Sequence, residues 1–237
     1  CEFDALLEHV ENHCPLLRID GVMSHYPSAD EDEGFTAMQT ERFDALLDRL
    51  ESVGKLPRCV HLANSAGLIG QASRRANLVR AGLLLYGVSP LADAGEPDLR
   101  FRPAMQVKAR VTLVRDLPEG HGVSYGRRFV TSRHPVTTVA TVAIGYGDGY
   151  SRHLSNRGAT VLIAGCRCPL LGNVTMDQIM VDVTELPKRP ERGDVAVVLG
   201  EQGEEFISAA ELAESAGTIP WEVFTRVGSL RLGRVVV

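Results

Sequence analysis

An α/β region followed by a mostly β domain is the fold class that this 237-residue sequence predicts, and three features carry the prediction. Over residues 1–104, segments of helical apolar spacing alternate with short apolar runs of strand length. After about Pro103 the spacing switches to period two, and glycine- and proline-rich turns then separate one strand candidate from the next. With 44% hydrophobic residues, 23% charged residues and a net charge of −5, the composition is that of an ordinary globular chain.

Phe3, Leu6, Leu7 and Val10 fall on one helical face. A second face is built by Met38, Phe43, Leu46, Leu47, Leu50 and Val53, closed by Gly54 and followed by Pro57. Strand-length runs lie at 17–23, 58–63 and 77–82, and helices between such runs predict βα units with a parallel sheet. Met105, Val107, Ala109, Val111 and Leu113 alternate with polar residues, which predicts a strand with one buried face. Further strands are expected at 136–145, 159–164, 179–183 and 195–199. Ser208 is placed to cap a helix over 209–216, with Glu211 at the capping-box position and Gly217 as terminator. The expected division is 1–104 and 105–237.

No apolar run reaches the roughly 18 to 20 residues that a membrane-spanning helix needs. The start, Cys1-Glu2-Phe3-Asp4, has neither the basic region nor the apolar core of a secretion signal, so the cytoplasm is the expected address. Neither half is basic enough to predict nucleic acid or an anionic membrane as partner. Cys1, Cys14, Cys59, Cys166 and Cys168 form no CxxC pair and have no histidine at ligand spacing; thiols in a reducing compartment are expected, with neither a disulfide framework nor a metal site.

In βα architectures, functional side chains gather where strands end and loops begin. Three such ends carry polar groups: Ser24 and His25, Asn64 and Ser65, and Arg80 with Gly82. Ser65 and Gly82 could offer a hydroxyl and an unobstructed N–H to a phosphate. A lone histidine at a strand end is more often a hydrogen-bonded structural residue than a catalytic one, and on pattern alone His25 and His61 read first that way. In the second half, Gly145-Tyr146-Gly147-Asp148-Gly149-Tyr150 presents Tyr146 from a tight turn, which is either a site or a hairpin with an aromatic lid. Leu171 to Asp177 reads as a strand and its turn.

Taken together, Met23 to Glu31, His61 to Ala66, Val79 to Gly87, Val142 to Tyr150 and Val174 to Gln178, closed by Gly217-Thr218-Ile219-Pro220-Trp221-Glu222, resemble the alanine racemase family in order and spacing. The resemblance implies the C-terminal part of a (β/α)8 TIM barrel over 1–104 and a β domain over 105–237 that supplies a catalytic tyrosine. It implies a homodimer with shared active sites, pyridoxal 5'-phosphate as cofactor and a small amino acid as substrate. The match begins partway through the family's barrel, so the cofactor-binding lysine has no counterpart here and is expected upstream, in a removed segment or in a separate N-terminal chain.

Racemisation removes a weakly acidic Cα proton and returns one to the opposite face, which calls for an electron sink and two bases. By resemblance one base is the lysine and the other Tyr146, delivered from the partner subunit. A phenol acts as a base near neutrality only with positive charge nearby. His25 is implied to lie between that phenol and Arg80, and Arg80 to donate to the cofactor's ring nitrogen, which keeps that nitrogen largely unprotonated. Asn64, Ser65, Gly82 and Leu83 map to the cofactor pocket. Met176 maps to the substrate carboxylate through its N–H, with His61 and Asp177 in supporting positions.

Departures accompany the match. Lys55 follows a helix, Lys108 sits on a polar strand face and Lys188 lies beside Pro187, so none suits the cofactor-binding position. Asn173 stands where the family has an arginine, Leu230 where it has a tyrosine, and Pro27 is unusual in its motif. A broader racemase acting on serine, or a catalytically silent relative kept for binding or assembly, remain alternatives.

Overall fold

The computed structural model describes residues 2–70, 73–91, 101–227 and 232–236. The chain divides into two compact units, Cys1–Arg102 and Pro103–Val237. Leu230 lies outside the described residues.

In the first unit, helix α1 (Glu2–His13), strand β1 (Gly21–Met23), helix α2 (Glu33–Ser52), strand β2 (Cys59–His61) and helix α3 (Ser65–Gly70) follow one another. The β1 and β2 strands pair in parallel with Met23 opposite His61, and Leu78 bridges His61 in parallel on the other side. This is the βα texture that the sequence predicts, with shorter strands. The run at 17–23 becomes a strand only from Gly21, where β2 offers a partner; Leu17 and Ile19 are exposed. Likewise the run at 77–82 keeps a single bridge. Helix α2 starts earlier than its apolar face suggests, because Asp32 caps it by accepting from the Phe35 N–H at 2.8 Å. Phe43, Leu47 and Leu50 from α2 bury against Val22, Val60 and Leu62, whereas Val53 lies past the helix end and is exposed.

The second unit is an antiparallel sheet. Its strands are β3 (Val107–Pro118), the short hairpin pair β4 (Gly122–Val123) and β5 (Phe129–Val130), β6 (Val136–Val142), β7 (Thr160–Ile163), β8 (Cys166–Pro169), β9 (Ile179–Asp182), β10 (Val195–Gln202) and β11 (Glu205–Ile207). The main sheet runs β8-β7-β10-β3-β6-β9, with β11 also paired to β10. Helices α4 (Ala209–Ala216) and α5 (Pro220–Arg226) complete the unit.

Sequence periodicity fails in one instructive place. The alternation predicts Leu113 on the buried face of β3, but a bulge between Val111 and Leu113 turns it outward; Val114 packs on the large core instead, and Leu117 is buried in a separate small cluster. At α4, Ser208 accepts from the Glu211 N–H at 3.0 Å and Gly217 ends the helix at φ +69°. The Glu211 carboxylate goes to Arg167, at 2.6 Å, instead of the reciprocal half of a capping box. Helix α5, missed in the sequence, starts with Pro220 at its first turn.

Candidate active site

The parallel register of β1 and β2 brings Ser24-His25 and Leu62 to Ser65 to the same strand ends. A further link draws in the third: the Arg80 N–H donates to Ala63 O at 3.0 Å. From there the Arg80 guanidinium reaches across all three ends. Its Nη1 donates to His61 Nδ1, and its Nη2 donates to His25 Nδ1 at 3.0 Å and to Ser24 O at 2.9 Å. Arginine stays charged and only donates, so each Nδ1 is the acceptor and each imidazole is left to carry its proton on Nε2. Burial, and then the Arg80 charge, hold the His61 pKa below its ordinary value.

Ser65 is buried at the start of α3. Its Oγ accepts from the Gly82 N–H at 2.9 Å and the Leu84 N–H at 3.4 Å, so its own proton remains to be donated. Leu83, between those two, is buried. Asn64 works within the chain: its Nδ2 donates to Tyr26 O at 3.0 Å, and its Oδ1 accepts from the Gly67 N–H at 2.9 Å. Sequence reasoning missed Tyr26. Its ring is buried, a Cβ on Gly67 would come within 2.6 Å of it, and its hydroxyl bonds Thr40 at 2.6 Å. Tyr26 therefore sets how α3 leaves the strand ends, and its position directly after His25 was the available signal.

In the second unit, Tyr146 opens a 3-10 turn and its side chain is exposed, as is Met176. The two loops are joined by backbone: Tyr146 N–H donates to Thr175 O at 3.0 Å and Gly147 N–H to Met176 O at 2.9 Å. Asp177 is exposed beside Met176. Asn173 anchors the neighbouring loop, donating from Nδ2 to Tyr125 O at 2.7 Å and accepting from Ser124 Oγ on its carbonyl at 2.6 Å. Lys55 is ion-paired with Glu11 at 2.6 Å, while Lys108 and Lys188 point outward.

A βα unit with hydroxyl, imidazole and guanidinium groups at its strand ends, followed by an antiparallel β unit, defines a two-part α/β-plus-β protein. The family model described as alanine racemase, N-terminal domain, matches residues 1–90, and that for the C-terminal domain matches residues 104–236. The chain belongs to the alanine racemase family. It is 43% identical over 234 residues to alanine racemase of Carboxydothermus hydrogenoformans, covering 98% of this chain and 62% of that one, and 40% identical over 238 residues to that of Geobacter sp., covering 99% and 61%. Among solved structures, alanine racemase from Bacillus anthracis with bound L-Ala-P aligns with a TM-score of 0.86 at 35% identity, over 96% of this chain and 57% of that one. The enzyme from Streptomyces coelicolor aligns with a TM-score of 0.84 at 38% identity, over 95% and 58%. The chain thus spans about three fifths of the length of its relatives. Each relative holds the matched region within one longer chain, so the separate N-terminal chain expected above has no support. No helix among the described residues is long and apolar enough to cross a membrane.

Proposed function

We propose that the protein interconverts L- and D-alanine, as a cytoplasmic homodimer dependent on pyridoxal phosphate, and so supplies D-alanine for peptidoglycan. The observation that carries this reading is the Arg80 guanidinium spanning His61 and His25 two residues from the Ser65 cluster, in a chain of this family.

The residues fit the cofactor on chemical grounds. An anion needs donors, and the Gly82 and Leu84 N–H groups, by donating to Ser65 Oγ, hold that hydroxyl so that its own proton is free to be donated beside Gly82, which has no side chain to intrude. A ring nitrogen needs a donor that keeps its own proton, which is what Arg80 offers. When bound, pyridoxal phosphate supplies an electron sink for the charge left as the amino acid's α-proton departs.

The chain's own residues then divide the work. Ser65 and the Leu83 backbone hold the phosphate, with Gly82 bracing the Ser65 hydroxyl and leaving room beside it, and Asn64 shaping the pocket through α3. Arg80 faces the ring nitrogen. His25, accepting from Arg80 on Nδ1, turns its Nε2–H toward the phenol of Tyr146 from the partner subunit, which moves the proton at Cα. Met176 orients the substrate carboxylate through its N–H, supported by Asp177, and His61 fixes Arg80 from behind. The opposite base is a lysine in the portion of the relatives that this chain does not span. Exposure of the Tyr146 side chain supports its delivery to another copy.

The test is Tyr146→Phe in the complete enzyme. The expected result is a loss of about 100-fold or more in kcat from L-alanine, with pyridoxal phosphate affinity unchanged. Equal losses in both would remove Tyr146 from the base position, and a wild-type enzyme inert toward alanine with the cofactor would overturn the function.

A further inference from the structure

The turn that carries Tyr146 is hydrogen-bonded at every backbone N–H from Gly145 to Tyr150. Tyr146 donates to Thr175 O, Gly147 to Met176 O, Asp148 to Gly145 O at 3.0 Å, Gly149 to Tyr146 O at 3.2 Å and Tyr150 to Gly145 O at 3.1 Å. The remaining N–H, of Gly145, goes to a side chain, Asp148 Oδ2, at 2.9 Å.

Gly145 has no latitude to seek another acceptor. A Cβ there would stand 2.3 Å from Thr175 O and 2.4 Å from Met176 O, so its backbone lies directly against the loop that carries Met176. Asp148 itself is buried, 7% exposed. Burying a carboxylate is costly even when it is well bonded. A charged acceptor makes the stronger and shorter bond, which favours one turn geometry over its neighbours.

We propose that Asp148 is a positioning residue for Tyr146: its buried carboxylate locks the 145–150 turn against the Thr175–Met176 backbone and so fixes the phenol in register with the substrate-orienting loop. This rests on the reading of Tyr146 as the proton-transferring group. Asp148 touches neither substrate nor cofactor in this scheme and acts through the turn.

The experiment is a double-mutant cycle in the complete enzyme, reading kcat from L-alanine, KM and pyridoxal phosphate affinity for wild type, Tyr146→Phe, Asp148→Ala and both together. A displaced reacting group costs up to about 100-fold in rate, so Asp148→Ala is expected to lower kcat by about 10- to 100-fold with cofactor affinity unchanged. In the Tyr146→Phe background the same change should cost less than about twofold, because the group it positions is already gone. Asp148→Asn keeps an acceptor oxygen and should restore part of the rate, leaving a loss of about threefold to tenfold. Equal losses in both backgrounds, or a fall in cofactor affinity matching that in kcat, would overturn the proposal. Should Asp148→Ala fail to fold, the isosteric Asp148→Asn is read in both backgrounds, and either no loss or an equal loss overturns it. If Tyr146→Phe alone leaves kcat unchanged, the proposal falls with the reading beneath it, and that single rate tells the two failures apart.

Discussion

The Arg80 guanidinium donates to Nδ1 of His61, holding a fixed positive charge against an imidazole that burial already disfavours from ionising. The pair is self-consistent only while His61 is neutral, since protonation would place two donors and two positive charges face to face.

Acid should therefore weaken the first unit through His61. The folded-state pKa lies below the ordinary 6.5, so the unfolded chain binds the proton more readily. This contribution to stability is complete above pH 6.5 and is lost as pH falls from there toward the lowered native value. Melting temperature measured against pH for wild type and His61→Asn should show a steeper decline below pH 6.5 in wild type. Parallel curves would refute the assignment.

Removing the Ser65 hydroxyl orphans two donors at once, the Gly82 and Leu84 N–H groups. Ser65→Ala in the complete enzyme is expected to weaken pyridoxal phosphate binding by about tenfold, in keeping with about 1.5 kcal/mol for a hydrogen bond to a charged group. Titration of cofactor absorbance checks it; an unchanged affinity would move the phosphate site elsewhere.

Gly149 sits at φ +100°, and a Cβ there would lie 2.2 Å from Arg226 O, so α5 presses directly on the end of the Tyr146 turn. Gly158, at φ +75°, has nothing within 4 Å. Alanine at 158 meets backbone strain alone, about 1 kcal/mol, whereas alanine at 149 adds a backbone collision and is expected to cost about 3 kcal/mol or more. Denaturant unfolding of the two variants would separate strain from collision; equal midpoints would show that α5 yields.

Burial, with a smaller contribution from Cys166, pushes the Cys168 thiol up to about 12. Iodoacetamide at pH 8 should leave Cys168 unmodified in native protein and label it after denaturation, because the thiolate is the reactive form. Peptide mass spectrometry reads the outcome, and native labelling of Cys168 would contradict its enclosure by the sheet.

Local chemistry made some elements readable in advance. Ser208, Glu211 and Gly217 mark α4 because capping needs only near neighbours in sequence. The strand-end positions of His25, Asn64, Ser65 and Arg80 follow from βα alternation, and the Arg80 contacts could be anticipated only through family resemblance. Leu113 misleads because a bulge is decided by β3's partners and leaves no mark on the alternation. Asp148 was invisible for a similar reason: within a glycine-rich turn an aspartate is ordinary. Its burial emerges only once Thr175 and Met176 close over Gly145.

The bulge in β3 has a mechanical consequence. Ahead of it Val107 and Val111 enter the large core with Ala140 and Val197; beyond it Leu117 enters a separate small cluster with Val123, Val139 and Leu171. One continuous strand is thus a splint joining two apolar reservoirs, which β6 and the shorter β9 also span. Amide protons along 107–117 are expected to exchange together, in one cooperative opening, so that neither reservoir melts while the other survives.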